Sequence, residues 1–119
     1  MRSRLLLPAL LLPLVAAAGP APEPRTFIGH YTVDWEVQSF RACGRGETWW
    51  VSNPGPLMRA FRDALPGEEY GTVYATVRAD VTEPGGFGHL GGYRRAMAVR
   101  EVVEVRPAGD GDCDIREAE

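Results

Sequence analysis

From Phe27 onward the chain alternates. Phe27, Gly29, Tyr31, Val33, Trp35 and Val37 share one phase, and His30, Thr32, Asp34, Glu36 and Gln38 share the other. That period of two predicts a long half-buried strand. Phe40 then falls on the polar phase, which predicts a register shift near Ser39 of the kind a β-bulge makes. A Cys43-Gly44-Arg45-Gly46 turn leads into a short strand over Glu47 to Val51, and Ser52-Asn53-Pro54-Gly55 breaks it. The period then changes: Leu57, Ala60, Phe61, Ala64 and Leu65 recur at helical spacing, with Arg59, Arg62 and Asp63 outside. Pro56 is tolerated in a first helical turn and Pro66-Gly67 ends the helix, which spans about nine residues.

Alternation resumes from Thr72 to Thr82, with Val73, Ala75, Val77, Ala79 and Val81 opposed to Tyr74, Thr76, Arg78 and Asp80. Glu83 to Gly92 is a loop with five glycines. Arg94 to Arg106 is the last β stretch, with Met97, Val99, Val103 and Val105 in phase. Arg100-Glu101 interrupts it as a bend or as a break into two strands. Strands, one helix, then strands is the order of a small five-stranded OB-like barrel, mainly β, with its one short helix between strands three and four. A fifth strand requires the first long segment or the last one to divide. A rolled α+β sheet is the alternative architecture.

The segment before the alternation changes the picture in another way. Arg2 and Arg4 precede an apolar run from Leu5 to Val15 that ends in Ala16-Ala17-Ala18. Basic, apolar and small-residue segments in that order read as a secretory signal peptide over residues 1–18. The run is too short for a transmembrane helix, which needs roughly 20 residues. No cysteine near Ala18 offers a lipid anchor. The chain is therefore expected to be periplasmic or secreted. Residues 19–25, Gly-Pro-Ala-Pro-Glu-Pro-Arg, read as an extended linker, residues 26–114 as a single domain and residues 115–119 as an acidic tail.

After cleavage, eleven basic residues stand against sixteen acidic ones, a net charge of −5. Such a chain has no electrostatic case for nucleic acid. Every basic residue is Arg and none is Lys, a bias that codon composition explains more simply than function. Cys43 and Cys113 are the only cysteines, and an even pair in an exported domain reads as one disulfide. Closing a loop of about 70 residues contributes roughly 4 kcal/mol in the chain-entropy model. A redox role would want closely spaced cysteines or a helix N-terminus, and neither is evident.

Candidate chemistry is sparse. His30 and His89 are the only histidines, and nothing in their spacing makes them converge on a metal. Asp110-Gly-Asp-Cys-Asp114 resembles the start of a calcium loop, but Ile115 stands where glycine is required and no glutamate follows at the twelfth position. No metal site and no cofactor are assigned. Ser39 and Ser52 lack a nucleophile context. Asp34 and Glu36 share an open polar face, where nothing drives two carboxyl pKa values apart. No catalytic residue is assigned. The strongest local signal is the loop Pro84-Gly-Gly-Phe-Gly-His-Leu-Gly-Gly-Tyr93. It joins strands and has no Lys, so it is not a phosphate loop. It either caps one end of the barrel or serves as a recognition loop. Adjacent Trp49 and Trp50 must face opposite sides of a strand, so one fills the core while the other is exposed, covered or used at an interface.

Ser39-Phe-Arg-Ala-Cys-Gly44, Trp49-Trp-Val51, Val73-Tyr-Ala-Thr-Val-Arg78, Gly88-His-Leu-Gly-Gly-Tyr93 and Glu101-Val-Val-Glu-Val-Arg106 resemble a group of small bacterial envelope proteins. Those are similar to the C-terminal OB-fold domain of the copper-stress lipoprotein NlpE. The resemblance spans most of the chain after residue 18. It implies an envelope-facing OB-fold of largely unassigned biochemical activity, and the NlpE case suggests sensing or adhesion signalling rather than catalysis. The lipoprotein cysteine and a cysteine-pair metal motif are both missing here, so neither lipid anchoring nor a copper role is implied.

The expected function is a non-enzymatic binding or interaction module of the bacterial envelope, whose partner is an envelope protein or a saccharide. Its expected contacts are Trp49, Trp50, Tyr74 and Arg78, with Phe87, His89 and Tyr93 from the glycine-rich loop. The alternative is a periplasmic metal or small-ligand carrier using His30 and His89. A small hydrolase using Asp34 and Glu36 is the third reading.

Overall fold

The computed structural model describes residues 23–114, so the segments expected to be a signal peptide and an acidic tail lie outside the described residues. Five strands form a closed barrel: β1 (Arg25–Asp34), β2 (Val37–Ala42), β3 (Trp49–Asn53), β4 (Gly71–Val81) and β5 (Ala96–Pro107). The order around the barrel is β1-β2-β3-β5-β4, and β4 pairs with β1 to close it. All neighbours are antiparallel except β3 and β5, which run parallel. The helix α1 (Leu57–Ala64) sits in the chain between β3 and β4. This is the OB arrangement, and the fifth strand arises from division of the first long segment.

That division is a hairpin rather than the bulge expected near Ser39. Asp34 pairs directly with Val37, leaving Trp35 and Glu36 as a two-residue turn. Glu36 takes a φ of 55° there, and the Asp34 carboxylate accepts the Trp35 N–H at 2.7 Å. A two-residue turn brings the chain back with its phase reset, so Gln38, Phe40 and Ala42 point the way Val33, Tyr31 and Gly29 do. Phe40 is therefore fully buried, while Trp35, in phase with the core by simple alternation, is 69 % exposed.

At Gly29 the two strands press together. A Cβ there would lie 2.1 Å from the Arg41 carbonyl oxygen, a separation no side chain permits. The strands can curl into a barrel because this position has none.

Arg100-Glu101 does not break β5. The pairing with β4 slips twice, leaving Arg100 and Val103 as unpaired extra residues within one continuous strand. Each slip shifts the inward phase by one. Val102 and Val105 consequently pack against the core, and Val103, expected in phase, is 59 % exposed.

The core runs from Trp49, Phe27 and Met97 through Phe40, Val73 and Val77 to Tyr31, Leu57 and Phe61. Leu57 and Phe61, one helical turn apart, are the two buried residues of α1. The Phe61 ring meets Tyr31 edge to face at 6.0 Å, so the helix closes the barrel end that also holds the β1–β2 turn. Tyr31 donates to the Gln38 side chain, and burial pushes its phenol far above the ordinary range. Cys43, just past β2, is bonded to Cys113.

The disulfide closes a loop with a sequence separation of 70. Replacing both cysteines by serine is expected to lower unfolding stability by about 4 kcal/mol. Urea denaturation of the oxidised protein and of the double variant measures the difference, and a change below about 1 kcal/mol would show that the reduced chain is already constrained.

Candidate functional site

The end of the barrel opposite the helix is built from the start of β1, the end of β4 and the connection from Thr82 to Arg95. That connection is itself a small hairpin. Gly85 N–H donates to the Arg94 carbonyl at 2.8 Å, and Phe87 and Tyr93 exchange both backbone hydrogen bonds. A 3₁₀ turn over His89–Gly91 forms the tip.

Glycine is needed at position 88 for two reasons. Its φ of 69° and ψ of −156° suit no ordinary side chain, and a Cβ would sit 2.5 Å from the Trp50 ring. The backbone of Gly88 thus lies directly on the indole, while Tyr93 stacks against the same ring at 5.5 Å, tilted by 51°. Trp50, the outward member of the tryptophan pair, is half-buried by this loop rather than by the helix. Trp49 faces inward: it is buried, meets Phe27 edge to face at 5.2 Å, and donates its indole N–H to Glu47 at 2.9 Å.

The tip is exposed. His89 is open to solvent, and Leu90 is 92 % exposed with a φ of 56°. A left-handed conformation costs a branched residue such as leucine roughly 1–2 kcal/mol.

Below the hairpin the barrel has an open mouth with a cavity of about 170 Å³. Phe27 and Trp49 form its floor, and Arg25, Arg45 and Arg95 surround it with Glu83 as the one acidic wall residue. Arg95 is tied to Glu47 at 3.3 Å and to the Thr82 carbonyl at 2.9 Å.

The structure thus gathers Phe87, His89 and Tyr93 in one hairpin, lays that hairpin on Trp50 of β3, and sets Trp49 behind them in the core. Tyr74 and Arg78 are elsewhere, on the outer face of β4. Arg78 lies 3.7 Å from Glu101 and reaches the Pro24 carbonyl at 3.5 Å. Tyr74 anchors the C-terminal segment: its hydroxyl accepts the Cys113 N–H at 3.1 Å, and the Arg106 guanidinium lies 4.4 Å above its ring. His30 belongs to the same clasp, with Nε2 2.9 Å from an Asp112 carboxylate oxygen. His30 and His89 therefore serve different parts of the molecule, and among the described residues no three potential metal ligands lie together. Asp34 and Glu36 flank Trp35 in the exposed turn at the helix end.

Sequence reasoning missed the exposed, positive-φ setting of Leu90, the arginine mouth and the Asp112 clasp. Leu90 carried a weak signal, an apolar residue inside a glycine run. The arginines carried none, being distant in the chain. Among the described residues no helix is long and apolar enough to cross a membrane. Comparison with protein-family models, curated proteins and solved structures finds no match for the chain.

Two predictions test this geometry. Gly88→Ala should lift the hairpin from Trp50, lowering stability by about 1–3 kcal/mol and shifting tryptophan emission to the red. An unchanged spectrum would mean that the loop does not rest on the ring. Asp112, only 4 % exposed at its side chain, has a carboxyl held down at about 2 by the Gly109 N–H, with His30 and Arg106 adding to it. Its pKa is depressed on folding, so its contribution is present above the unfolded value of 3.8 and lost as pH falls through about 2. Asp112→Asn should therefore be less stable than the parent at neutral pH, with the difference shrinking to nothing in strong acid. Parallel urea titrations across that range measure it, and a pH-independent gap would refute the assignment.

Proposed function

We propose that the chain is an exported, non-catalytic binding module of the bacterial envelope that grips a partner protein with the tip of the β4–β5 hairpin. Leu90 is the observation that carries this reading. It places a branched apolar side chain in water at 92 % exposure, on a backbone conformation that glycine would adopt without strain. Neither feature stabilises the barrel. Residues held in sparsely populated backbone conformations cluster at ligand clamps and other functional sites.

The surroundings support the same reading. The hairpin is pinned by its own backbone hydrogen bonds and by the Gly88–Trp50–Tyr93 stack, so Leu90 and His89 are presented by a pre-ordered turn. Pre-ordering reduces the entropy lost on association. A leader of the secretory type and a disulfide agree with an extracytoplasmic setting. The resemblance to envelope OB-fold domains, which includes the Gly88–Tyr93 segment, points the same way.

A photoreactive residue at position 89 tests the proposal in cells. The parent protein is expected to yield one discrete adduct with an envelope protein. Leu90→Asp should abolish it. Leu90→Gly should also abolish it while leaving the protein at least as stable as the parent, because strain is relieved as the contact is removed. An adduct that survives both substitutions, or no adduct at all, overturns the reading.

A further inference from the structure

We propose that the barrel mouth is an anion site, taking the carboxylate or phosphate group of a small ligand between Arg25 and Arg45. The inference is independent of the partner-binding tip, since it uses other residues and a different chemistry.

The charge distribution is the first argument. The chain carries an excess of acidic residues, yet three arginines and a single glutamate line this cavity. Arg95 is occupied by Glu47 and Thr82. Arg25 and Arg45 have no carboxylate within ion-pairing distance among the described residues. Both are exposed, and each lies beside the aromatic floor. The Arg25 guanidinium lies 5.3 Å from the Phe27 ring centroid, and that of Arg45 lies 5.8 Å from Phe27 and 5.6 Å from Trp49.

A cation–π attraction occupies none of a guanidinium's five N–H donors, so the edge that carries them remains available to an anion. Two such edges beside one cavity match the two or three oxygens of a planar carboxylate or a phosphate. The aromatic floor contributes little exposed ring, because Phe27 is 5 % and Trp49 2 % exposed. Recognition here would be ionic rather than apolar.

Size limits the ligand. A cavity of about 170 Å³ has room for roughly five waters, enough for one anionic group and little more. A second cavity of about 220 Å³ shares Arg25, Phe27 and Arg45 and runs toward Cys43. The arginine pair therefore stands between two openings, and the uncharged remainder of a ligand can extend through the second one.

Titrations by ¹H–¹⁵N NMR in a low-salt buffer test the site, with inorganic phosphate, glucuronate and neutral glucose as separate probes. Expected are saturable shifts of the Arg25 and Arg45 side-chain N–H signals and the Trp49 indole N–H with phosphate, glucuronate or both, and none with glucose. The stronger of the two anions identifies the ligand's headgroup chemistry. Arg25→Gln with Arg45→Gln should weaken binding at least about tenfold with the remaining spectrum unchanged. Arg45→Lys, which keeps the charge but loses the fork, should fall between the two and serves if the double variant is unfolded. Leu90→Asp should leave the titration unaltered, which separates this site from the partner-binding tip. No saturable shift up to about 50 mM of either anion, or equal binding by the arginine variants, overturns the proposal.

Discussion

β5 hydrogen-bonds on both of its edges, and the rest of the structure depends on that. It runs antiparallel to β4 along nearly its whole length and parallel to β3 over Ala96 to Ala98. One strand can satisfy both partners only if it bends sharply, and the extra residues Arg100 and Val103 supply the bend. On the other side of the barrel, Gly29 permits the matching curl of β1 against β2. Closure creates two distinct ends. One is filled by Leu57 and Phe61 of α1. The other is left to the β4–β5 hairpin and the arginine mouth.

The closed barrel also explains how polar groups become useful on its outer wall. Tyr74, His30 and Arg106 come from β4, β1 and β5, which are neighbours only because β1 and β4 close the cylinder. They receive the segment around Asp112 and Cys113, whose disulfide fixes the chain over them. The carboxylate of Asp112 is enclosed yet stays ionised, since a backbone N–H, an imidazole and a guanidinium all address it. Electrostatics and covalent closure thus act on the same short segment.

Much of the fold was legible along the chain. Alternation marked β1 and β4, helical spacing marked α1, and proline and glycine marked its ends, since these signals are local. The disulfide followed from the cysteine count. What alternation misread were the places where the phase is reset. Trp35 looked like a core residue and is exposed, because a two-residue turn intervenes; Val103 looked buried and is exposed, because a bulge does. The candidate site was legible only in part. The glycine loop stood out, but Tyr74 and Arg78, grouped with it by residue type, belong to another face.

The sequence by itself determined the elements, their order and the prominence of the Pro84–Tyr93 loop, because each rests on neighbours in the chain, while the cysteine count alone set the single disulfide. Tertiary structure decided which side chains meet. Arg25, Arg45 and Arg95 surround one mouth because β1, the turn after β2 and the start of β5 reach the same end of the barrel. Gly88 rests on Trp50 because β3 and β5 lie side by side in parallel, which carries the loop before β5 onto the outer face of β3. Contacts between residues far apart in the chain arise from closure of the sheet, and no local pattern encodes them.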